Sequence, residues 1–253
     1  MGGLFGRLVV SAITDFVSWR MGLIVIGILY LAVGIAFFML LPKPKYQRQR
    51  QSGGLQLIKT FHTALANKKL LWIYLVAFLI MGSFVAVFNF ISYVLLAPPY
   101  SLSQTVVGLL FVVYLFGTFS STYMGRLSDQ HGNGRVLILG LLIMLTGGLL
   151  TLLQPLVFKF IGLAIFTFGM LGSHSVACGW VGKLNQGDKA QSSSMYMFFY
   201  YAGASSLGTL GGVFLESYGW SGVIGMVATA VIICLLVVVR LELSVSQHLL
   251  WHH

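Results

Sequence analysis

The sequence predicts an all-α, polytopic helical membrane protein with about eight transmembrane helices. Three observations lead there. Of 253 residues, 58% are hydrophobic and only 8% are charged, against roughly 25% charged in an ordinary soluble domain; the chain lacks the polar residues to cover its own surface in water. Apolar stretches recur eight times, over residues 1–19, 21–41, 70–97, 104–124, 136–154, 157–181, 192–215 and 220–239. Most are long enough to cross a hydrocarbon core of about 30 Å as a helix. Within them apolar and polar residues do not alternate, as the strands of a membrane barrel require.

The first stretch is marginal by itself. Arg7 costs about 3 kcal/mol near the middle of a helix in lipid, while Leu4, Phe5, Leu8, Val9, Val10, Ile13, Phe16 and Val17 together return roughly 4. Ser11 and Thr14 extend Arg7 into a narrow polar stripe, and three roles stay open to it: packing, a conformational role, or contact with a solute. Arg7 also interrupts the apolar run that a cleavable leader needs, and no basic segment precedes it. The second stretch ends at Pro42. There Pro42-Lys43-Pro44-Lys45 and Gln47-Arg48-Gln49-Arg50-Gln51 open the one long connector, 43–69, whose prolines and cations stop the helix and hold the loop in water.

The third stretch carries Asn89, Phe90 and Tyr93, a polar-aromatic patch suited to an amphiphilic solute and equally suited to packing. In the fourth, Gly117, Ser121 and Gly125 recur every four residues, as Ala204, Gly208 and Gly212 do in the seventh; small residues at that spacing let helix backbones approach closely. The sixth holds His174 between Ser173 and Ser175, one turn before Cys178. A histidine there can line a cavity, carry a proton or bond a neighbouring helix. Tyr196, Tyr200 and Tyr201 open the seventh stretch and are further lining candidates.

Charge sets the orientation. The formal net charge is +10, from 15 Lys and Arg against 5 Asp and Glu. If the stretches alternate across the bilayer, twelve of the cations share one face: Lys43, Lys45, Arg48, Arg50, Lys59, Lys68, Lys69, Arg126, Arg135, Lys183, Lys189 and Arg240. Only Arg20 and Lys159 fall on the other. The positive-inside rule then makes the long connector and the C-terminus cytoplasmic and turns Ala97–Ser103 outward. Cations spread over separate membrane loops make no phosphate-binding face, so no nucleic-acid partner is expected. Enzyme chemistry is not expected either. There is no G-x-x-x-x-G-K-[ST] loop and no H-E-x-x-H, and Ser173-His174-Ser175 fails the G-x-S-x-G pattern. Cys178 and Cys234 belong to no metal-spaced set or disulfide framework. No catalytic residue, metal or cofactor is expected, and the paired His252 and His253 at the tail do not change that.

An internal repeat sharpens the organisation. Asp15 and Trp19 recur as Glu216 and Trp220 at one common offset of 201 positions. That spacing suits halves of six helices, which makes the first two stretches the fifth and sixth helices of a first half.

The run Gly125-Arg126-Leu127-Ser128-Asp129-Gln130-His131-Gly132-Asn133-Gly134-Arg135 resembles the cytoplasmic signature loop of the major facilitator superfamily, the copy between helices eight and nine. Gly6-Arg7, with Asp15 and Trp19-Arg20, resembles helix five of its bacterial efflux branch. Gly172-Ser173-His174-Ser175-Val176-Ala177, followed by Trp180-Val181-Gly182, is similar to helix ten of YnfM-type inner-membrane transporters. Two departures stand out: Gln130 replaces a usual cation, and Asn133-Gly134 lengthens the loop by one residue before Arg135.

The resemblance implies a partial superfamily fold, helices five to twelve only. Residues 1–42 would be the last two helices of an N-terminal bundle, 43–69 the cytoplasmic inter-bundle loop, 70–240 a complete six-helix C-terminal bundle and 241–253 a cytoplasmic tail. It implies a secondary transporter of the bacterial inner membrane, an antiporter that exports small solutes such as drugs or sugars against protons by alternating access. Its partners are the lipid bilayer, the solute, protons, and either missing N-terminal helices or a complementing chain; a transport-inactive remnant is the alternative. Helices seven and ten line the superfamily's cavity, which would place His174 together with Asn89, Phe90 and Tyr93. Gly125, Arg126, Asp129, Gly132 and Arg135 would form a gate, with Asp129 reaching the helix start at Ser192-Ser193-Ser194, where unpaired N–H groups favour a carboxylate. Arg7 and Asp15 are the charged candidates of helix five.

Overall fold

A computed structural model describes residues 19–40, 67–184 and 189–250. The first apolar stretch with Arg7 and Asp15, the connector from 43 to 66, and His252 and His253 lie outside the described residues. Among the described residues all regular structure is helical: α1 Trp19–Leu40, α2 Lys68–Leu96, α3 Gln104–Leu109 continuing into a 3-10 turn Leu110–Val113, α4 Tyr114–His131, α5 Asn133–Leu150, α6 Leu156–Leu184 and α7 Lys189–Leu250. The all-α prediction therefore stands.

Two of the predicted stretches take a different form. The fourth, 104–124, is divided among α3, the 3-10 turn and α4, which runs on to His131. The seventh and eighth join into the single helix α7, broken only at Gly219, whose φ of 64° and ψ of −158° are open to a residue without Cβ. Five helical segments among the described residues are long and apolar enough to cross a membrane: Arg20–Leu40, Lys68–Leu96, Asn133–Leu150, Leu156–Leu184 and Lys189–Ser244.

The chain divides into two compact units, Met1–Leu57 with Leu95–Val112, and Ile58–Val94 with Val113–His253. In the first, α1 is apolar on every side, and Ile28, Leu31, Phe38 and Leu40 are all exposed; such a helix suits lipid or a partner helix. Its other described part is a tight turn in which Tyr100 N–H donates to the Ala97 carbonyl and Leu102 N–H to that of Leu95. Ser103 caps α3 by accepting from Val106 N–H, which satisfies one of the unpaired amides at a helix start.

The second unit is a bundle of α2 (to Val94), α4, α5, α6 and α7. Its most extensive contact joins α5 to α6, and glycine makes that contact possible. A Cβ on Gly169 would lie 2.3 Å from Met144 N and 2.7 Å from the Gly140 carbonyl oxygen, so the two backbones touch directly. Beside this seam an aromatic cluster fills the core. Phe84 stacks on Phe166 with ring centres 6.2 Å apart and meets Tyr114 edge-on at 5.4 Å, geometries that suit the ring quadrupole.

The two ends of this bundle differ. At one, the α4–α5 turn, the end of α6 and the end of α7 come together, carrying Arg126, Arg135, Lys183 and Arg240. At the other, Lys159 is buried and donates to the Thr151 carbonyl, which also accepts from Trp220 Nε1 at 3.1 Å. Thr151 is the C-cap of α5, and a cation there meets the negative end of the helix dipole.

Candidate functional site

The signature run Gly125–Arg135 is not an extended loop. It is the last turns of α4, one residue of turn, and the first turn of α5. His131 ends α4, Gly132 turns the chain at φ 90°, and Asn133 starts α5. Arg126, Asp129 and Arg135 are all exposed around this turn, while Gly125 faces the Ser175 hydroxyl of α6. That hydroxyl donates to the Ser121 carbonyl at 2.9 Å.

Asp129 has a different neighbour from the one expected. Its carboxylate accepts from Lys183 Nζ at 3.1 Å, and the same ammonium donates to Asn133 Oδ1 at 3.1 Å. The expected docking of Asp129 on the helix start at Ser192-Ser193-Ser194 is not the contact made in this structure: a cation on the last turn of α6 lies across the turn and takes the carboxylate, while Ser192 itself is buried. The residue that lengthens the run, Asn133, supplies the second acceptor and also holds α6 through Nδ2 to the Val176 carbonyl at 3.5 Å. The cation beside Asp129 is thus a lysine of another helix, with Gln130 next to it in sequence. Sequence reasoning also missed Glu242. Its carboxylate lies against Gly134 in the first turn of α5, where only a glycine leaves it room and where the helix dipole favours negative charge. The available signal was rarity, since a carboxylate near the end of an apolar helix is one of only 5 acidic residues.

Deeper in the bundle, the lining candidates separate into two groups. His174 Nδ1 is 2.9 Å from the Tyr196 hydroxyl, and its ring centre is 4.5 Å from that of Tyr200. Tyr196 is fully buried and Tyr200 nearly so, whereas His174 keeps part of its surface exposed. Tyr201 packs edge-on against Tyr200 and is exposed; it lines a shallow groove of about 400 Å³ along α7 with Ser194, Phe198 and Ser205. Phe90, by contrast, lies over Gly211 and Gly212 and beside Tyr93, ring centres 6.3 Å apart, while Asn89 and Tyr93 are exposed.

The expected meeting of His174 with Asn89, Phe90 and Tyr93 is therefore not made. His174 sits at Tyr196 and Tyr200 and Phe90 at Gly211; along α7 these levels are at least eleven residues apart, about 17 Å at 1.5 Å per residue. Cys178 and Cys234 are free thiols. Among the described residues no three His, Cys, Asp or Glu side chains gather as a metal site would need.

The sequence model of the Major Facilitator Superfamily matches residues 83–249. The chain is 40% identical over 237 residues to the uncharacterized MFS-type transporter YybF of Bacillus subtilis, covering 93% of this chain and 58% of that protein. It is 41% identical over 242 residues to the inner membrane transport protein YnfM of Escherichia coli, covering 96% and 58%. An uncharacterized transporter of Buchnera aphidicola subsp. Schizaphis graminum is 35% identical over 242 residues, covering 96% and 59%. The chain thus spans a little under three fifths of the length of these curated relatives.

Proposed function

The chain belongs to the major facilitator superfamily, and from that membership we propose that it serves in the secondary active transport of a small solute across a lipid bilayer. The observation that carries the reading is the polar cluster of His174, Tyr196 and Tyr200 where α6 meets the first turns of α7, inside a largely apolar bundle. An ionisable side chain inside a membrane helix is retained where a solute or ion passes. Transport breaks no covalent bond, in keeping with a chain that carries no catalytic motif.

The mechanism is alternating access, one bundle rocking against another around a site near mid-membrane. In the finer reading the protein is a bacterial inner-membrane antiporter that exports drug-like or sugar-like solutes against protons, with the connector 43–69 and the C-terminus cytoplasmic. Residues 70–240 act as the C-terminal bundle and 1–42 as the end of an N-terminal one. Asn89, Phe90, Tyr93 and His174 contribute at two levels of the path, and the turn from Gly125 to Arg135 acts as a gate. Arg7 and Asp15 remain the charged candidates of helix five. A second reading is a transport-inactive remnant, or a half that acts with a complementing chain.

Proteoliposomes holding this chain, with a pH-sensitive dye trapped inside and a pH gradient imposed, separate the readings. Cationic dyes and simple sugars are the probes. Solute-dependent proton flux from the chain is the result expected of the first reading, and flux only when the N-terminal helices of YnfM are co-reconstituted is the result expected of the second. Flux from the chain alone removes the second reading; none in either preparation, over the whole panel, counts against transport.

A further inference from the structure

We propose that Tyr196 is a positioning residue that fixes His174 as the neutral Nε2–H tautomer, so that the imidazole presents one N–H donor to a solute bearing a carbonyl, hydroxyl or carboxylate oxygen. The inference rests on the transport reading for its purpose but not for its geometry.

Tyr196 and His174 come from different helices, α7 and α6, and share one contact of 2.9 Å between the phenol oxygen and Nδ1. The bond has two forms. In one the phenol donates to the bare Nδ1; in the other Nδ1–H donates to the phenol oxygen and the phenol proton must go elsewhere. Among the described residues, the one second acceptor recorded for that proton is the His174 main-chain carbonyl at 3.5 Å. That is well beyond the 2.5–3.0 Å of an O–H···O bond, and the carbonyl is already inside a helix. A phenol is also the better donor and an sp² imidazole nitrogen the better acceptor, so the first form prevails. The hydrogen bond made by one ring nitrogen decides which nitrogen carries the proton, which here leaves it on Nε2.

Three features make the choice firm. Tyr196 is wholly buried, so no water competes for its hydroxyl. Tyr200 lies 4.5 Å from the imidazole, ring to ring, which limits rotation of the ring about its χ angles. And His174 is partly exposed; with Nδ1 turned onto a buried phenol, the open edge of the ring is the one bearing Nε2. The same arrangement opposes a second proton on the ring, because Nδ1–H would then donate to the phenol oxygen and leave the phenol proton with no close acceptor. His174 accordingly acts as a neutral donor rather than as a proton carrier.

The test is nitrogen-15 NMR on the full chain in lipid nanodiscs with labelled histidine side chains. The spectrum of His174→Gln identifies the His174 resonances by difference. At neutral pH the unaltered chain is expected to show one bare nitrogen at Nδ1 and one protonated at Nε2, the latter exchanging with solvent water. In Tyr196→Phe, with folding checked by circular dichroism, the preference is expected to relax toward a mixture of tautomers. An Nδ1–H pattern, a doubly protonated ring, an Nε2–H shielded from exchange, or an unchanged spectrum in Tyr196→Phe would overturn the proposal. The unaltered chain decides the tautomer even where the variant fails to fold. None of these readouts requires transport, so the failure of one idea is distinguishable from the failure of the other.

Discussion

The indole Nε1 of Trp220 lies 3.1 Å from both the carbonyl oxygen and the hydroxyl oxygen of Thr151, and the same carbonyl accepts from the buried ammonium of Lys159. Three helices therefore meet at one residue: α5 ends there, α6 reaches back to it, and the second limb of α7 starts on it. Lys159→Met is expected to lower stability by about 1–3 kcal/mol, because a hydrogen bond to a charged group is lost at a buried carbonyl. Trp220→Phe keeps a six-membered aromatic ring but loses the donor and the pyrrole half of the indole, and should cost about 1–3 kcal/mol. Reversible unfolding in mixed detergent micelles measures both; a Lys159→Met chain as stable as the original would refute the knot.

The α5–α6 seam makes a sharper demand. Gly169→Ala should cost at least about 2 kcal/mol, since its Cβ meets backbone atoms that cannot swing away. Gly147→Ala should do likewise, for the Phe166 nitrogen and the Gly162 carbonyl face it. Gly179 has no atom within 4 Å of a Cβ, and Gly179→Ala is expected to be neutral or to stabilise by up to about 1 kcal/mol through helix propensity. Equal effects at positions 169 and 179 in an unfolding titration would contradict this packing.

The pair of Asp129 and Lys183 is solvent-exposed, with side chains 73% and 55% accessible. Its coupling in a double-mutant cycle of Asp129→Asn and Lys183→Met should stay below about 1 kcal/mol and shrink with added salt. A gate needs little more, because a contact that opens in every cycle cannot be strong. In a full-length transporting background Asp129→Ala is expected to slow transport with little loss of stability. Unchanged transport kinetics would remove the gating role.

Cys178 is partly exposed and Cys234 buried. A membrane-permeant maleimide should modify Cys178 first in the folded chain, leaving Cys234 to react only on unfolding. Mass spectrometry of the time course reads the order, and early reaction at Cys234 would show that the second limb of α7 packs differently.

Much of the fold was legible because lipid imposes a simple rule: long apolar runs become helices. That rule found α1, α2, α5, α6 and both limbs of α7. The small residues singled out by spacing were a poorer guide: Gly117, Gly125, Gly208 and Gly212 face side chains, and the backbones approach at Gly147, Gly162 and Gly169 instead. It did not show that 104–124 would divide at a 3-10 turn, since a change in hydrogen-bond register leaves the apolar pattern intact. The candidate site was read less well. His174 stood out as a polar residue among apolar ones, but its partner is set by the depth at which α6 meets α7. Hydropathy carries no information on depth, and Asn89 and His174, which the resemblance brings together, lie at different levels. Lys183 and Glu242 look in sequence like ordinary helix-end charges. Only the packing of α6 and α7 against the α4–α5 turn gives them their neighbours.

Between α4 and α5 the chain spends a single residue, Gly132. Such a joint has no slack: neither helix can slide past the other by even one turn of 5.4 Å without unwinding its own end. A displacement of α4 would therefore be passed to α5. Gly219, which divides α7 into two limbs at a positive φ, is one joint of the described chain with backbone freedom of its own.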